Sequence, residues 1–531
     1  GYKEVVKRDV VRVITPGTLT EDGLLSDGQN NFLLSCIKVK NNYGVAWTDI
    51  STGEFYCSYV SETSFLSLLN RIHPSEILIE DNFQESIKQL NINKNIFLSS
   101  MPLESFDPIV GKQRLEKFFN VKTIDVYGDF NSSEISSMAA LIYYLEITQC
   151  TNAIPLMPPV KEEKNRYLTI DSASRQSLEI TKTLRGELSG SLLGSINKTL
   201  TSGGSRLLSE RLNCPSTNLK EINNRQETVG FFVENQATMA NCRDILKQTP
   251  DMQRALSRIG LNRGTPKDLG TIRNCLRSIS ELQKILLKKK TPFYVKMLIM
   301  QFKGFEQLLN TLNSALVENP TIMNTDANVI CSDYNQNLKK FRQMKYNEQT
   351  LIIKLQATYI NITKINSLKI KYNNVLGYFI ETPIAHLKKM PPETFIHRQT
   401  TANSSRFTSL ELSDMANNIL NAQENATQLE NKILKQITEQ ITQQISHLNS
   451  VAVAVSEIDL YSSLGFQSVL LDWIRPKVDQ SNKFEIKGGR HPVIEETLRS
   501  AGADTFVAND CNLCPESNSI WLITGPNMAG K

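Results

Sequence analysis

The sequence predicts a multidomain chain that combines α+β and α/β parts, and three observations carry that expectation. Residues 32–60 alternate apolar and polar positions and are broken by turn residues. Two long stretches, 330–364 and 409–448, have helical patterning and contain neither Gly nor Pro. Between them, residues 365–408 switch to strand-like alternation, and the chain closes on the phosphate-loop pattern TGPNMAGK at 524–531.

Taken in order, residues 5–18 (VVKRDVVRVITPGT) read as a basic strand ending in a turn at Pro16-Gly17. FLLSCIKVK and GVAWTDISTGEFYCSYV read as antiparallel neighbours around turn residues at 41–44. SEILIE (75–80) and NIFLSS (95–100) add short strands, so residues 25–134 are expected to form a mixed α/β domain. From 135 the pattern turns helical up to 364, with loop punctuation at 153–155, 213–215 and 260–266. In the second long helix Met415, Ile419, Ala422, Ala426, Leu429 and Ile433 follow a heptad spacing, continued by Ile437, Ile441 and Ile445. A buried seam against the other long helix explains it without a cofactor.

The 365–408 insertion reads as a β-rich tip between an outgoing helix and a returning one. From Lys369 to Arg406 the cations Lys369, Lys371, Lys388, Lys389, Arg398 and Arg406 face Glu381 and Glu393, a local net of +4. Cations amid short Ser, Thr and Asn donors suit phosphate contacts without base reading. The competing reading is a solvated loop. The 409–473 stretch returns to helix. Within 474–531, IRPKV, FEIKGGRHPVIEE and FVANDCNL read as strands around a Gly488-Gly489 turn, opening an α/β nucleotide-binding domain.

At the end, the apolar run 520–523 reads as a strand feeding the loop Gly525, Pro526, Asn527, Met528, Ala529, Gly530 and Lys531. Glycines let backbone N–H groups close around phosphate oxygens, and a Lys ammonium neutralises them. The Ser or Thr that would hold Mg²⁺ falls at position 532, and the chain starts at Gly1 without Met. The expectation is an internal fragment of a larger ATP-binding protein, itself without ATPase activity.

Composition narrows the class. Hydrophobic residues make up 40% and charged residues 21% of 531, which suits a globular chain, and a net charge of +5 leaves any basic surface local. No apolar run approaches membrane-spanning length. Nine scattered cysteines form no framework. Cys511 and Cys514 make one C-x-x-C without a second ligand pair, so they read as incidental. His491 precedes Pro492 with no base or metal partner nearby in sequence, and a hydrogen-bonding role is expected for it.

Taken together, GGRHPVIEE (488–496), FVAND (506–510) and LITGPNMAGK (522–531) resemble the ATPase domain of the MutS DNA mismatch-repair family. VKRDVVRVITPGTLTED (6–22) is similar to the family's exit from its mismatch-binding domain, and GVAWTDISTGEFY (44–56) to its RNase H-like connector. IDSASRQSLEI (170–180), GSLLGSINKTLTSGGSRLL (190–208) and DMQRALSRIGLNRGTPKDL (251–269) resemble its core, while LKIKYNNVLGYFIE (368–381) and FIHRQTTANSSRFTS (395–409) resemble its clamp. The chain is thereby identified as similar to the bacterial mismatch-repair branch. The resemblance implies residues 1–24 as the tail of the mismatch-binding domain and linker, 25–134 as connector, 135–364 as core and lever, 365–408 as clamp, 409–473 as returning lever and core, and 474–531 as the start of the P-loop domain.

It further implies ATP and Mg²⁺ as cofactors and mismatched double-stranded DNA as ligand. It implies a homodimer, a MutL-type partner, the replication sliding clamp as a further partner, no membrane, and a cytoplasmic, nucleoid-associated location. Phe506, with Val507 beside it, would stack on adenine. Charge and location make Lys369, Lys371, Arg398 and Arg406 candidates to meet DNA, and by the resemblance Asn403 aligns with a backbone-contacting position; the position beside it, often Lys in the family, is Ala402 here. Three alternatives stay open: a family member acting on recombination junctions, a coiled-coil ATPase of the chromosome-organising type, and a structural DNA sleeve with a degenerate nucleotide site.

Overall fold

A computed structural model describes residues 10–83, 96–151, 154–163, 166–287, 290–321, 328–346, 348–373, 377–401, 403–503 and 505–525. It is a mixed α+β structure with sheets and long helices. The chain divides into two compact units. One takes in residues up to Gly264, Thr271–Phe305 and the chain from Gln444 onward; the other takes in Thr265–Gly270 and Glu306–Gln443.

In the first unit, strands β1 (Leu33–Val39), β2 (Asn42–Asp49), β3 (Glu54–Ser61), β4 (Glu76–Glu80), β5 (Phe97–Met101) and β6 (Val160–Lys161) form one sheet in the order β5-β4-β1-β2-β3-β6. β1, β2 and β3 are antiparallel, whereas β4 runs parallel to β1 and β5, and β6 parallel to β3. The period of two sends alternate residues to opposite faces. Leu33, Ala46, Phe55, Cys57 and Leu78 join one core with Met138, Leu141 and Leu145 of the helix Ser132–Gln149. Leu34, Tyr43, Val45, Trp47, Ile77 and Ile79 join another with Phe65, Leu68 and Leu69 of the helix Glu62–Ile72. Gly44 makes the first of these packings possible: a Cβ there would stand 2.3 Å from the Ser133 carbonyl oxygen. The stretch GVAWTDISTGEFYCSYV is itself a hairpin, reversed after Asp49, whose carboxylate accepts from the backbone N–H of Asn31 and Ser51, both at 2.8 Å.

The helices of this unit assemble around the helix Ile445–Leu470. Its Asp459 accepts from the Leu200 N–H at 3.0 Å, the Thr201 N–H at 2.7 Å and the Thr201 hydroxyl at 2.7 Å, tying down the start of the helix Ser202–Asn213. Gly204 permits the approach, since a Cβ there would stand 2.2 Å from the Asp459 carboxylate.

Several expectations are corrected. Residues 10–15 form no strand: Val10 and Val11 are exposed and lack a ladder, although the Val13 N–H donates to the Thr148 carbonyl. The helix beginning at Leu410 stops at Gln443, and a separate one starts at Ile445. PVIEE is helical, Pro492–Ser500, because Pro sits at its first position and the His491 ring accepts from the Ile494 N–H. IRPKV is irregular, and Pro476 within it cannot donate to a ladder. FEIKGG and NDCNL do pair, as β11 (Phe484–Gly489) with β12 (Asn509–Leu513), Gly488 lying inside the strand at φ +61. Residues 520–523 form no strand, since no neighbouring backbone pairs with them among the described residues. No helix among the described residues is long and apolar enough to cross a membrane.

The second unit holds the helices Gln336–Tyr346, Glu348–Thr363 and Leu410–Gln443. The expected run at 330–364 is helical over Gln336–Tyr346 and Glu348–Thr363, residue 347 lying outside the described residues, and is preceded by a short 3-10 turn at Ser332–Tyr334. Ala422, Ala426, Ile433, Ile437 and Ile441 are buried along the expected seam, and the Leu410–Gln443 helix packs on Gln336–Tyr346. Sequence patterning did not signal Glu430, which is fully buried. It accepts from the N–H of Val329 at 3.2 Å and Ile330 at 2.9 Å and pairs with Arg342, so its charge is neutralised and hydrogen-bonded.

Candidate nucleic-acid interface

Also in the second unit, β7 (Lys369–Asn373), β8 (Gly377–Pro383), β9 (Ile396–Thr400) and β10 (Ser404–Thr408) form an antiparallel sheet in the order β7-β8-β10-β9. Its two faces differ in chemistry. Ile380 and Phe407 join a core with Leu355, Tyr359, Ile365, Leu368, Phe395 and Leu412, and Thr382 and Ser405 on the same face are buried. The Tyr359 hydroxyl and the Ser409 hydroxyl, 2.5 Å apart, close that core at the start of the Leu410–Gln443 helix.

The opposite face is polar and charged, and strand register explains why. Lys369 pairs across with Glu381, Glu381 with Arg406, and Arg406 with Gln399, so the four make one row across the sheet. Lys371, two residues on, lies on the same face and reaches the Glu381 carboxylate with its ammonium. Arg406 lies over the Phe379 ring at 4.8 Å, donates to the Gln399 side-chain oxygen at 3.2 Å, and has its Nε 3.8 Å from Glu381.

Lys369 and Lys371 are exposed, while Arg406 is half-buried under these contacts. Arg398 stands apart. The β9–β10 register passes from the Arg406–Gln399 pair to the Phe407–His397 pair, leaving Arg398 as the extra residue of a bulge. It is exposed, as is Asn403 at the β9–β10 turn. Lys388 and Lys389 are exposed in the 3-10 turn Ile384–Lys389. Ala402 lies outside the described residues.

The structure therefore brings Lys369, Lys371 and Arg406 onto one face, with Arg398 and Asn403 at a bulge and a turn. Of the two residues that organise this face, sequence reasoning counted Glu381 only as an opposing charge and missed Phe379. The signal was available as the period-two match of Lys369-x-Lys371 with Phe379-x-Glu381, once β7 and β8 are read as a hairpin.

The nucleotide residues expected from sequence are described only in part. Pro526, Asn527, Met528, Ala529, Gly530 and Lys531 lie outside the described residues. Phe506 is half-buried, Val507 exposed and Gly525 exposed, none of them in a strand. The neighbouring Arg490 donates to the carbonyls of Leu471 at 2.7 Å and Asp472 at 2.8 Å, and Lys198 pairs with Glu496 at 3.1 Å. No group of three or more His, Cys, Asp or Glu side chains suited to a metal occurs among the described residues. Cys511 and Cys514 are free and half-buried.

The chain is similar to known proteins. A family model described as MutS domain II matches residues 31–158, and one described as MutS domain III matches residues 173–465. A protein of Ruegeria sp. (strain TM1040) named DNA mismatch repair protein MutS is 42% identical over 537 residues, covering 100% of this chain and 61% of its own length. Proteins of the same name from Ruegeria pomeroyi and Roseobacter denitrificans are 42% and 40% identical, with the same coverage. The chain thus spans about 61% of the length of these curated relatives. Since the domain III match alone takes in more than half of the 531 residues, the chain belongs to the MutS family.

Proposed function

We propose that this chain is the DNA-clasping and signal-relaying part of an ATP-dependent sensor of mismatched double-stranded DNA, acting in mismatch repair. The observation that carries the reading is the charged outer face of the β7–β10 sheet. Lys369, Lys371 and Arg406 supply cations there, with the exposed Arg398 at the β9–β10 bulge and the exposed Asn403 amide at the turn beside it. Such a set meets phosphates irrespective of sequence. The long helices on either side of this sheet in sequence are the levers that report its occupancy, and the sheet is the clamp of the family's sliding-clamp switch.

The domain boundaries that accompany this reading are 1–24, 25–134, 135–364, 365–408, 409–473 and 474–531, with the helix Ser132–Gln149 crossing from the second into the third while packing on the connector sheet. The strand order β5-β4-β1-β2-β3, in which only β2 runs against β1, supports an RNase H-like connector. The last stretch is the opening of a P-loop ATPase domain. There Gly525 to Lys531 would hold the phosphates of ATP, and Phe506 and Val507 the adenine. The half-buried ring of Phe506 and the exposed Val507 offer an apolar edge that fits a base. Bound ATP with Mg²⁺ supplies the hydrolysable bond that resets the switch. The family also supports a homodimer, MutL-type and sliding-clamp partners, and a cytoplasmic place of action. A coiled-coil ATPase is disfavoured, because the longest helix among the described residues ends after Leu410–Gln443 and a β-sheet precedes it.

Replacing Lys369, Lys371 and Arg398 together with Ala tests the reading. Binding to all duplexes should weaken alike, and the slope of log affinity on log salt should flatten by roughly 0.9 for each phosphate that is no longer engaged. Undiminished binding would refute the interface, and a loss confined to one sequence would point to base readout.

A further inference from the structure

Glu381 is the one carboxylate in the row that crosses the open face of the β7–β10 sheet. On one side it is register-paired with Lys369 and takes the Lys371 ammonium; on the other it faces the Arg406 guanidinium. Its side chain is 21% exposed, against 49% for Lys371 and 24% for Arg406, so it sits low between the cations that would meet a ligand. Arg406 is held further by the Phe379 ring and the Gln399 oxygen, contacts that do not involve the carboxylate.

The Lys371–Glu381 pair is open to solvent at its lysine end and contributes little to folding, about 0–1 kcal/mol, so that pair is a weak reason for an acid here. Its electrostatic consequence for a polyanion is larger. Two cations are partly satisfied before any phosphate arrives, and one negative charge remains within the footprint.

We infer that Glu381 is an affinity-limiting residue of this face: phosphates must displace it from Lys371 and Arg406, which keeps the grip on DNA loose enough to be released. This rests on the reading of the face as a DNA interface. Phosphate is the competing ligand by chemistry, since it accepts from both an ammonium and a guanidinium as a carboxylate does. Replacing the carboxylate with an amide of the same shape frees both cations and removes the repulsion.

The test compares the 531-residue chain with its Glu381→Gln, Glu381→Asp and Lys369/Lys371/Arg398→Ala variants on a labelled, fully paired duplex, titrated between about 50 and 200 mM salt. Far-ultraviolet circular dichroism checks that each variant is folded. Glu381→Gln should bind about three- to tenfold more tightly at the low-salt end, to every duplex alike, with a slope steeper by roughly 0.9 to 1.8 as one or two more phosphates are engaged. Glu381→Asp keeps the charge and should bind like the parent chain. If Glu381→Gln binds equally or more weakly while the triple variant weakens, the interface stands and Glu381 only scaffolds its cations. An equal gain for Glu381→Asp would assign the effect to side-chain length and overturn the charge argument. If the triple variant binds undiminished, the interface reading falls and this inference with it.

Discussion

The two larger sheets of this chain use the same alternation of side chains to opposite ends. In the β1–β6 sheet both faces are covered: Leu33, Phe55 and Leu78 pack toward one set of helices, Tyr43, Val45 and Ile77 toward another. In the β7–β10 sheet the face carrying Ile380 and Phe407 joins a hydrophobic core, and the other presents Lys369, Lys371, Glu381 and Arg406, with Phe379 buried beneath Arg406. A sheet buried on both sides is scaffold. A sheet buried on one side has a surface left to use, and here that surface is charged. The comparison therefore separates the residues that keep the chain folded from those available to a ligand.

The largest effect expected from it is on stability. Leu78→Ala removes a fully buried side chain from the two-sided sheet and should cost about 2–5 kcal/mol. Lys369→Ala, on the open face, should stay within about 0.5 kcal/mol of the parent. Urea unfolding of both variants checks this, and equal losses would break the contrast. Next, Gly44→Ala should cost about 1–3 kcal/mol, because its Cβ meets the Ser133 backbone and one of the two elements must shift. A parent-like unfolding midpoint would mean that the Ser132–Gln149 helix is not held against β2.

A third prediction concerns pH. Glu54 on β3 borders a polar cavity of about 290 Å³ together with Glu210 and Glu457. Burial, then the charges of Glu210 and Asp49, push its carboxyl up to about 8, against the pulls of Arg206 and Asn30. The native chain therefore keeps a proton that the unfolded chain releases near 4.5. Stability should fall as pH rises from about 4.5 to about 8, and this contribution should level off above that. Glu54→Gln should gain on the parent across that window, and superimposable pH profiles would contradict the buried proton. The smallest effect is expected at Asn403, where Ala should weaken duplex binding by about two- to fivefold through one missing hydrogen bond, leaving stability unchanged.

How much of this was legible in the sequence depended on whether a pattern was local. The strands at Leu33–Val39, Glu76–Glu80 and Phe97–Met101 and the seam through Ala422, Ala426 and Ile433 follow from short-range periodicity. Pairing is not local. The bulge that sets Arg398 apart exists only in the β9–β10 register, and the opposition of Glu381 to Lys371 and Arg406 exists only across strands. Pro492 misled because proline both breaks strands and opens helices, and the cap supplied by His491 decides between them. The apolar run at 520–523 has the composition of a strand, yet a strand needs a backbone partner and no described residue provides one.

If the open face of the β7–β10 sheet receives DNA and the β1–β6 sheet does not, lysines on the first sheet and on the helix Pro108–Phe118 beside the second must respond differently to duplex. Amine-selective labelling of the chain, read by mass spectrometry with and without duplex DNA, reports on both at once. Lys369 and Lys371 should lose reactivity when duplex is added. Lys112, which pairs with Asp125 at 3.0 Å beside the β1–β6 core, should label equally in both samples. Protection of Lys112, with Lys369 and Lys371 unchanged, would place the DNA on the wrong sheet and overturn the proposed interface.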